Sequence, residues 1–273
     1  EQNNIEYWMC FGSLVATVSR AGSIPWDDDI DVCMMREDVE NLVNLLKDDS
    51  HFQITLAYDA YVFCKQLRFS LKDSLVPCFV DICVWDWAKD HSKTNDDRLR
   101  ELRLCLMDEF SSYVELLAQW QKYPVLYAPD SNSVVQADGV VLEQPEPEVA
   151  ERTIREIEAV FSRYDELAHD EKILCEKSAA DGLAYGLSNI YDAPWRRMIF
   201  PREMILPVVQ LPYEGYLVNA PAEYEAVCDE CYPGWPYLPQ DILGHEHLSK
   251  QILSDENVRQ AILSYAENGL DVR

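Results

Sequence analysis

The sequence predicts an α/β fold, a small mixed sheet with flanking helices, extended by a helical region and a loop-rich C-terminal part. Three observations carry this. The nearly unbroken apolar run Cys78-Phe79-Val80-Asp81-Ile82-Cys83-Val84-Trp85-Asp86 has the make-up of a strand buried on both faces. Val39, Leu42, Val43 and Leu46 recur at helical spacing upstream of it. Between Ile5 and Val18, Gly12-Ser13 separates two apolar segments, which reads as a strand, a tight turn and a short helix.

The remaining elements follow in order. A strand carrying acids is expected after the first helix, around residues 29–32. Phe52, Ile54 and Leu56 alternate with polar residues, as in a half-buried strand, and Tyr61 to Phe69 suits its hairpin partner. Residues 98–121 predict a long helix with Leu102, Leu106, Phe110, Tyr113, Val114 and Leu117 on one face. Residues 128–148 hold Pro, Gly, Ser and Asn without periodicity and predict a surface loop or disordered insertion. Residues 149–167 predict a helix through Ile154, Ile157 and Phe161, and a further helix is expected near 170–180. The C-terminal third, rich in Pro and aromatics, predicts short strands and turns before a last helix at about 255–267. Three regions are expected, 1–97, 98–190 and 191–273, packed as one integrated domain.

Composition narrows the function. The chain has 273 residues, of which 48% are apolar, enough for a normal core. Its 23 basic and 49 acidic residues give a net charge of −26. Nucleic-acid binding draws its affinity from Lys and Arg on phosphates, so a nucleic-acid partner is not expected. A single nucleotide remains compatible, held by a few local cations and a metal. No apolar stretch reaches spanning length, and the polar start Glu1-Gln2-Asn3-Asn4 predicts no signal peptide. The missing initiator Met suggests a trimmed or processed chain. The nine cysteines are odd in number and mostly flanked by apolar residues, which suits buried thiols in a reducing, cytoplasmic compartment.

The chemistry concentrates in Ile24-Pro25-Trp26-Asp27-Asp28-Asp29-Ile30-Asp31. Acids at the edge of an apolar segment are unlike a solvated acidic run, although an acidic surface turn is the alternative reading. In an extended strand Asp29 and Asp31 share a face, with Ile30 turned to the core. Two carboxylates on one face repel unless a cation joins them, and hard cations such as Mg2+, or Mn2+ in its place, prefer these ligands. Asp81, alone in a buried strand, is too costly to leave unpaired and is the natural third member. Asp29, Asp31 and Asp81 are the expected catalytic and metal-binding acids. They would hold one or two ions, about 3.5–4 Å apart in the two-metal case, and Asp81 also suits a general base. Gly12 and Ser13 open a helix whose N–H groups suit a phosphate.

Other residues are open to more than one reading. Trp26 is expected to pack under the acidic loop, and it also suits stacking on a base or a choline cation, as do Trp85 and Trp87. Lys65 is a candidate for the pyrophosphate or for a solvated strand face, and Arg68 is assigned to the solvated face. Arg196 and Arg197 suit phosphate or surface acids. Cys228 and Cys231, with His245 and His247, have zinc-type donors. Yet Tyr224, Val227, Cys228 and Cys231 follow a helical stripe, and small apolar thiols fill such a face.

Gly-Ser, Asp-x-Asp and a later strand Asp are together the pattern of the nucleotidyltransferase superfamily that includes DNA polymerase beta. More closely, the chain resembles the LicD family of phosphocholine transferases, which includes fukutin-related glycan-modifying proteins. Residues Ile24 to Asp31 match the family core almost letter for letter. Arg36-Glu37-Asp38, Phe79-Val80-Asp81-Ile82 with Asp86, Phe200-Pro201, Leu211-Pro212-Tyr213-Glu214-Gly215, Ala220-Pro221-Ala222-Glu223-Tyr224 and Tyr232-Pro233-Gly234 resemble later blocks. The resemblance implies a nucleotidyltransferase-like sheet and Asp29, Asp31 and Asp81 as the metal-binding catalytic acids. It implies a nucleotide diphosphate donor such as CDP-choline and a glycan or glycolipid acceptor of the lipopolysaccharide or teichoic acid kind. Phosphocholine or a similar phospho-alcohol passes to a sugar hydroxyl and a nucleoside monophosphate leaves. A lipid-linked acceptor would bring the protein close to a membrane. The chain departs from the family where Ala16 stands for a second Gly and Ser19-Arg20 for an Arg-His pair, so Arg20 is the candidate phosphate contact from a shifted position. The family also has a longer N-terminal lead. Two alternatives follow from the altered segment: a nucleotidyltransferase that moves the nucleotide itself, or a degenerate nucleotide-binding or partner-binding protein.

Overall fold

A computed structural model of the chain describes residues 5–24, 27, 29–59, 64–72, 76, 78–120, 126–127, 134–135, 147–188, 196–237 and 254–268. The elements in order are β1 (Trp8–Met9), α1 (Phe11–Arg20), β2 (Asp31–Met35), α2 (Arg36–Leu46), β3 (Phe52–Asp59), β4 (Cys64–Leu71), β5 (Phe79–Ala88), α3 (Lys93–Trp120), β6 (Leu126–Tyr127) and β7 (Val134–Val135). There follow α4 (Pro147–Asp170), β8 (Gly182–Tyr185), β9 (Ile199–Pro201), α5 (Arg202–Ile205), β10 (Val209–Tyr213), β11 (Tyr216–Ala220), α6 (Tyr224–Cys231) and α7 (Glu256–Asn268). This is the expected α/β fold, with a mixed sheet and flanking helices. Among the described residues no helix is long and apolar enough to cross a membrane.

The sheet runs β1-β2-β5-β4-β3-β6-β7, and β8 and β9 branch from β5. β5 is the hub. One edge pairs parallel with β2, and the other is shared by β4 at residues 79–82 and by β8 at 85–88. Its near-continuous apolar sequence follows from this, since the chain covers both its faces. The parallel register sets Asp31 opposite Asp81 and Cys33 opposite Cys83. The β3–β4 hairpin forms as the alternation at Phe52, Ile54 and Leu56 predicts.

Two cores flank the sheet. The first gathers Trp8, Trp85, Tyr185 and Phe200 with the inner faces of α1 and α6. Trp8 meets Trp85 edge-on at 5.4 Å, a favoured aromatic geometry. The second lies between α3 and α4, where Leu99, Leu102, Leu106 and Phe110 meet Ile157, Phe161 and Tyr164. β8 alternates between them: Leu183 and Tyr185 enter the first core and Ala184 the second.

Several expectations change. Trp8–Met9 is a two-residue strand, and α1 starts at Phe11, so Gly12 and Ser13 already lie within the helix. In α2 only Val39 is buried and Val43 is 44% exposed, so the helix packs through Val39 and the half-buried Leu42. The helix expected near 170–180 is a 3-10 turn at Lys177–Ala179. Lys172 takes a left-handed φ of 59°, which ends α4 and turns Ile173–Cys175 back along β5, where Leu174 bridges Ala88. β7 lies inside the expected 128–148 loop, most of which is outside the described residues.

Phe110 is fully buried and meets Phe161 at 5.6 Å. Truncation at Phe110→Ala should cost about 3–5 kcal/mol of stability, read as a lower urea midpoint with an unchanged slope. A loss below about 1 kcal/mol would mean the α3–α4 layer is not packed as described.

Candidate functional site

Asp29, Asp31 and Asp81 each bring a carboxylate oxygen to one point, all within 4.8 Å of one another. The positioning is backbone-driven. Asp81 N–H donates to the Ile30 carbonyl at 2.8 Å, extending the β2–β5 ladder into the acidic loop. Asp31 N–H donates to Ser13 Oγ at 2.8 Å, tying the loop to α1. Asp31 O accepts from Cys10 N–H at 3.2 Å. Asp31 is thus fixed on both sides of its own peptide.

Burial, then the charges of Asp29, Asp81 and Asp27, hold the Asp31 carboxyl well above the usual carboxylate range, and Arg68 pulls it down. Oxygens of this spacing need little movement to surround one Mg2+, whose octahedral ligands lie at most about 4.2 Å apart across the ion. A hard cation is the group that relieves such crowding, and an all-oxygen donor set suits Mg2+ or Mn2+. The cluster therefore fits a metal.

Arg68 is the residue the sequence reading misplaced. Far from a solvated face, it is 4% exposed and sits opposite Asp81 in the β4–β5 register. Its Nε donates to Asp81 Oδ1 at 2.7 Å, and its guanidinium stacks 4.2 Å from the Phe79 ring. The available signal was Asp81 itself, since a buried strand acid calls for a cation on the neighbouring strand. Lys65, three residues away, lies on the opposite face of β4, where it pairs with Glu158 of α4. The structure does not bring it to the acids.

The remaining candidates divide. A Cβ on Gly12 would come within 2.9 Å of Asp27 Oδ2, so a carboxylate lies over this position and would have to shift to admit a side chain. Gly12 is thus at the site, facing an acid where a phosphate was expected. Ser13 is at the site as the acceptor for Asp31. Arg20 ends α1, about 12 Å along the helix from Gly12, where it complements the helix dipole. Trp26, His245 and His247 lie outside the described residues. Trp85 packs in the first core. The Trp87 ring lies between Lys177 and Arg202, at 4.9 and 5.1 Å, and its Nε1 donates to Glu37. Cys228 and Cys231 fill the buried face of α6, and Cys231 Sγ lies 3.6 Å from the Tyr185 hydroxyl.

Asp86 belongs to a structural pair. Arg36 donates to it twice, at 2.6 and 2.7 Å, and reaches Asp165 as well. The β10–β11 turn clamps the chain between α1 and the acids. Glu214 accepts from Ser23 N–H at 2.9 Å and its own N–H donates to Ala21 O at 2.8 Å. The Ser23 and Tyr213 hydroxyls meet at 2.8 Å. A Cβ on Gly22 would strike Glu214 Oε1 at 2.5 Å. Glu214 and Gly215, both at positive φ, make the tight turn that allows this approach. Phe11, at φ 47°, is strained at the start of α1, a conformation that costs a bulky residue about 1–3 kcal/mol.

With this geometry in view, residues 4–100 match the family model described as LicD/FKTN/FKRP, nucleotidyltransferase domain. Over this segment the chain is similar to that family. The segment holds all three acids together with Ser13 and Arg68. The chain is also 30% identical over 105 residues to the lipopolysaccharide cholinephosphotransferase LicD of Haemophilus influenzae, covering 34% of this chain and 40% of that protein. It is 28% identical over 144 residues to an uncharacterised protein of Rickettsia prowazekii, covering 48% and 54% of the two chains. A second uncharacterised protein, from Rickettsia typhi, is 26% identical over 140 residues, covering 48% and 45%. The chain spans about half the length of the curated relatives it matches, or less.

Two predictions follow from the charges. Arg68→Met should cost about 3–5 kcal/mol in metal-free protein, because it strands a buried carboxylate, and adding Asp81→Asn should recover most of that loss. A double variant no more stable than Arg68→Met would break the pairing argument. For Asp31 the folded-state pKa is raised. Below about pH 4 both folded and unfolded chains carry the proton and nothing is lost. As pH rises further, the unfolded chain ionises first, so the metal-free fold loses stability up to the raised value. In EDTA, the melting temperature of wild type should therefore fall relative to Asp31→Asn as pH rises above about 4, and Mg2+ should reverse the order. Parallel curves in EDTA would show that Asp31 is not under charge stress.

Proposed function

We propose that the protein is a Mg2+-dependent transferase that moves phosphocholine, or a similar phospho-alcohol, from a CDP-linked donor to a hydroxyl of a glycan or glycolipid. The observation that carries this reading is the convergence of Asp29, Asp31 and Asp81 in a nucleotidyltransferase domain of this family. The LicD of Haemophilus influenzae, by its name a lipopolysaccharide cholinephosphotransferase, supplies the substrate class. A cytoplasmic location and a lipid-linked acceptor at a membrane surface belong to the same proposal.

The acceptor oxygen attacks the phosphorus that carries the alcohol. The bond from that phosphorus to the bridging oxygen breaks, and the nucleoside monophosphate leaves with the bridging electrons. Mg2+, when bound, supplies positive charge at the phosphoryl oxygens. Asp29 and Asp31 hold it, and Asp81 either shares it or takes the proton of the attacking hydroxyl. Arg68 fixes Asp81 by donating to both carboxylate oxygens, to Oδ1 at 2.7 Å and to Oδ2 at 3.4 Å. Ser13 keeps Asp31 in register.

The test is product analysis with CDP-choline, Mg2+ and a glycolipid acceptor. CMP should appear, EDTA should abolish it, and Asp29→Asn with Asp31→Asn should lower the rate by about a thousandfold or more. Pyrophosphate in place of CMP, seen with a nucleoside triphosphate, would make the enzyme one that moves the nucleotide. Failure of every nucleotide to bind in the presence of metal would mark a degenerate member.

A further inference from the structure

The acids occupy one end of the β2–β5 ladder, and a cavity of about 360 Å3 opens at the other. Its apolar wall is Met35, Trp87, Leu206 and Pro207, and its charged lining is Glu6, Asp38, Lys177 and Arg202. Met35 stands four residues beyond Asp31 and Trp87 six beyond Asp81, so about 13 to 20 Å of strand separates the cavity from the acids. Both parallel strands present their carboxyl ends here, the position at which α/β sheets place their ligand crevices.

The charged lining is of two kinds. Arg202, exposed on α5, lies 5.1 Å from the Trp87 ring and pairs with no carboxylate among the described residues. An aromatic face stabilises a guanidinium without cancelling its charge, so Arg202 can still meet an anion. Glu6 and Asp38 are crowded acids. Burial, then the charge of Asp38, raises Glu6. Burial also raises Asp38, although the Glu6 peptide N–H donates to it. Lys177, 4.9 Å from the Trp87 ring and 3.8 Å from Glu37, lowers both without bringing either back to its ordinary value. A simple anion would meet two carboxylates in this cavity, and a simple cation would meet Arg202. A ligand carrying both charges finds a partner for each. The indole, Met35, Leu206 and Pro207 give apolar contact to the carbons that join the charges. The walls are held from outside the cavity. Trp87 Nε1 donates to Glu37 at 2.8 Å, and α5 is pinned by Ala222 N–H to Ile205 O at 3.0 Å and Glu223 N–H to Met204 O at 2.9 Å.

We infer that this cavity is a second binding site, separate from the acidic cluster, for a small zwitterion that joins an ammonium group to a phosphate or a carboxylate. Arg202 takes the acidic group, Glu6 and Asp38 take the ammonium, and the Trp87 wall takes the carbons between. The inference does not depend on the donor reading, because none of these residues belongs to the cluster of Asp29, Asp31 and Asp81.

The test is calorimetric titration of phosphocholine, glycine betaine, choline and inorganic phosphate, all in EDTA, into wild type and three variants. The variants are Arg202→Gln, Glu6→Gln with Asp38→Asn, and Asp29→Asn with Asp31→Asn. In wild type at least one zwitterion should bind about tenfold or more tighter than either choline or phosphate, and the tighter of the two names the acidic group. Arg202→Gln, an exposed position unlikely to disturb folding, should weaken that zwitterion by about tenfold, and so should Glu6→Gln with Asp38→Asn. Asp29→Asn with Asp31→Asn should bind it as wild type does. Choline as tight as the zwitterions would make the cavity a cation site, and phosphate as tight would make it an anion site. Either result overturns the inference, as does the absence of heat from all four probes. Binding that survives Arg202→Gln, or that vanishes in Asp29→Asn with Asp31→Asn, would also overturn it, since the ligand would then sit elsewhere.

Discussion

The site depends on the parallel pairing of β2 with β5. That ladder sets Asp31 directly opposite Asp81 and continues one bond further, from Asp81 N–H to Ile30 O, into the acidic loop. Adjacent strands lie about 4.8 Å apart, so a paired register alone places the carboxylates within reach of one ion. The arrangement opposes its own stability unless countered, and the counters are specific: Arg68 donates to Asp81 and Ser13 holds the Asp31 peptide, while the converging oxygens are spaced to accept a cation.

The matched segment 4–100 contains the acids, Ser13 and Arg68 but not every part that frames them. The turn at Glu214 fixes Ala21–Ser23, and so the approach to the acidic loop. Tyr185 and Cys231 back the start of α1 from beneath. The acidic cluster and part of its framing thus come from different parts of the chain, the first from the matched segment and the second from the C-terminal third. A division of this kind lets one reaction type be kept while the groups around donor and acceptor change.

The acids were legible because a carboxylate in an apolar run has few physical explanations. Asp81 sits in Phe79-Val80-Asp81-Ile82, and the structure gives it the neighbours its burial demands. The β3–β4 hairpin was legible for a similar reason, since Phe52, Ile54 and Leu56 commit one strand to a face. Its partner does not commit. In Cys64-Lys65-Gln66-Leu67-Arg68-Phe69-Ser70-Leu71 both faces carry polar groups, so local pattern cannot say whether Lys65 or Arg68 turns to Asp81. That choice is made by the register with β5 and by α4, which gives Lys65 a carboxylate of its own. The expected helix after α4 failed on a similar point, because a left-handed Lys172 leaves no mark in side-chain periodicity.

The net charge of −26 brings these strands together. An acidic surface draws cations toward the cluster, and it also repels the anionic phosphates that a donor must bring there. A basic patch would be one solution, but several basic side chains among the described residues are taken by acids. Arg36 takes Asp86, Lys65 takes Glu158, Arg68 takes Asp81 and Arg163 takes Glu109. A guanidinium neutralised by a carboxylate offers little to a phosphate. One way around this in a protein of such composition is a metal ion, whose charge exceeds that of any side chain. The acids at the start of β2 bring together the oxygens that would hold it.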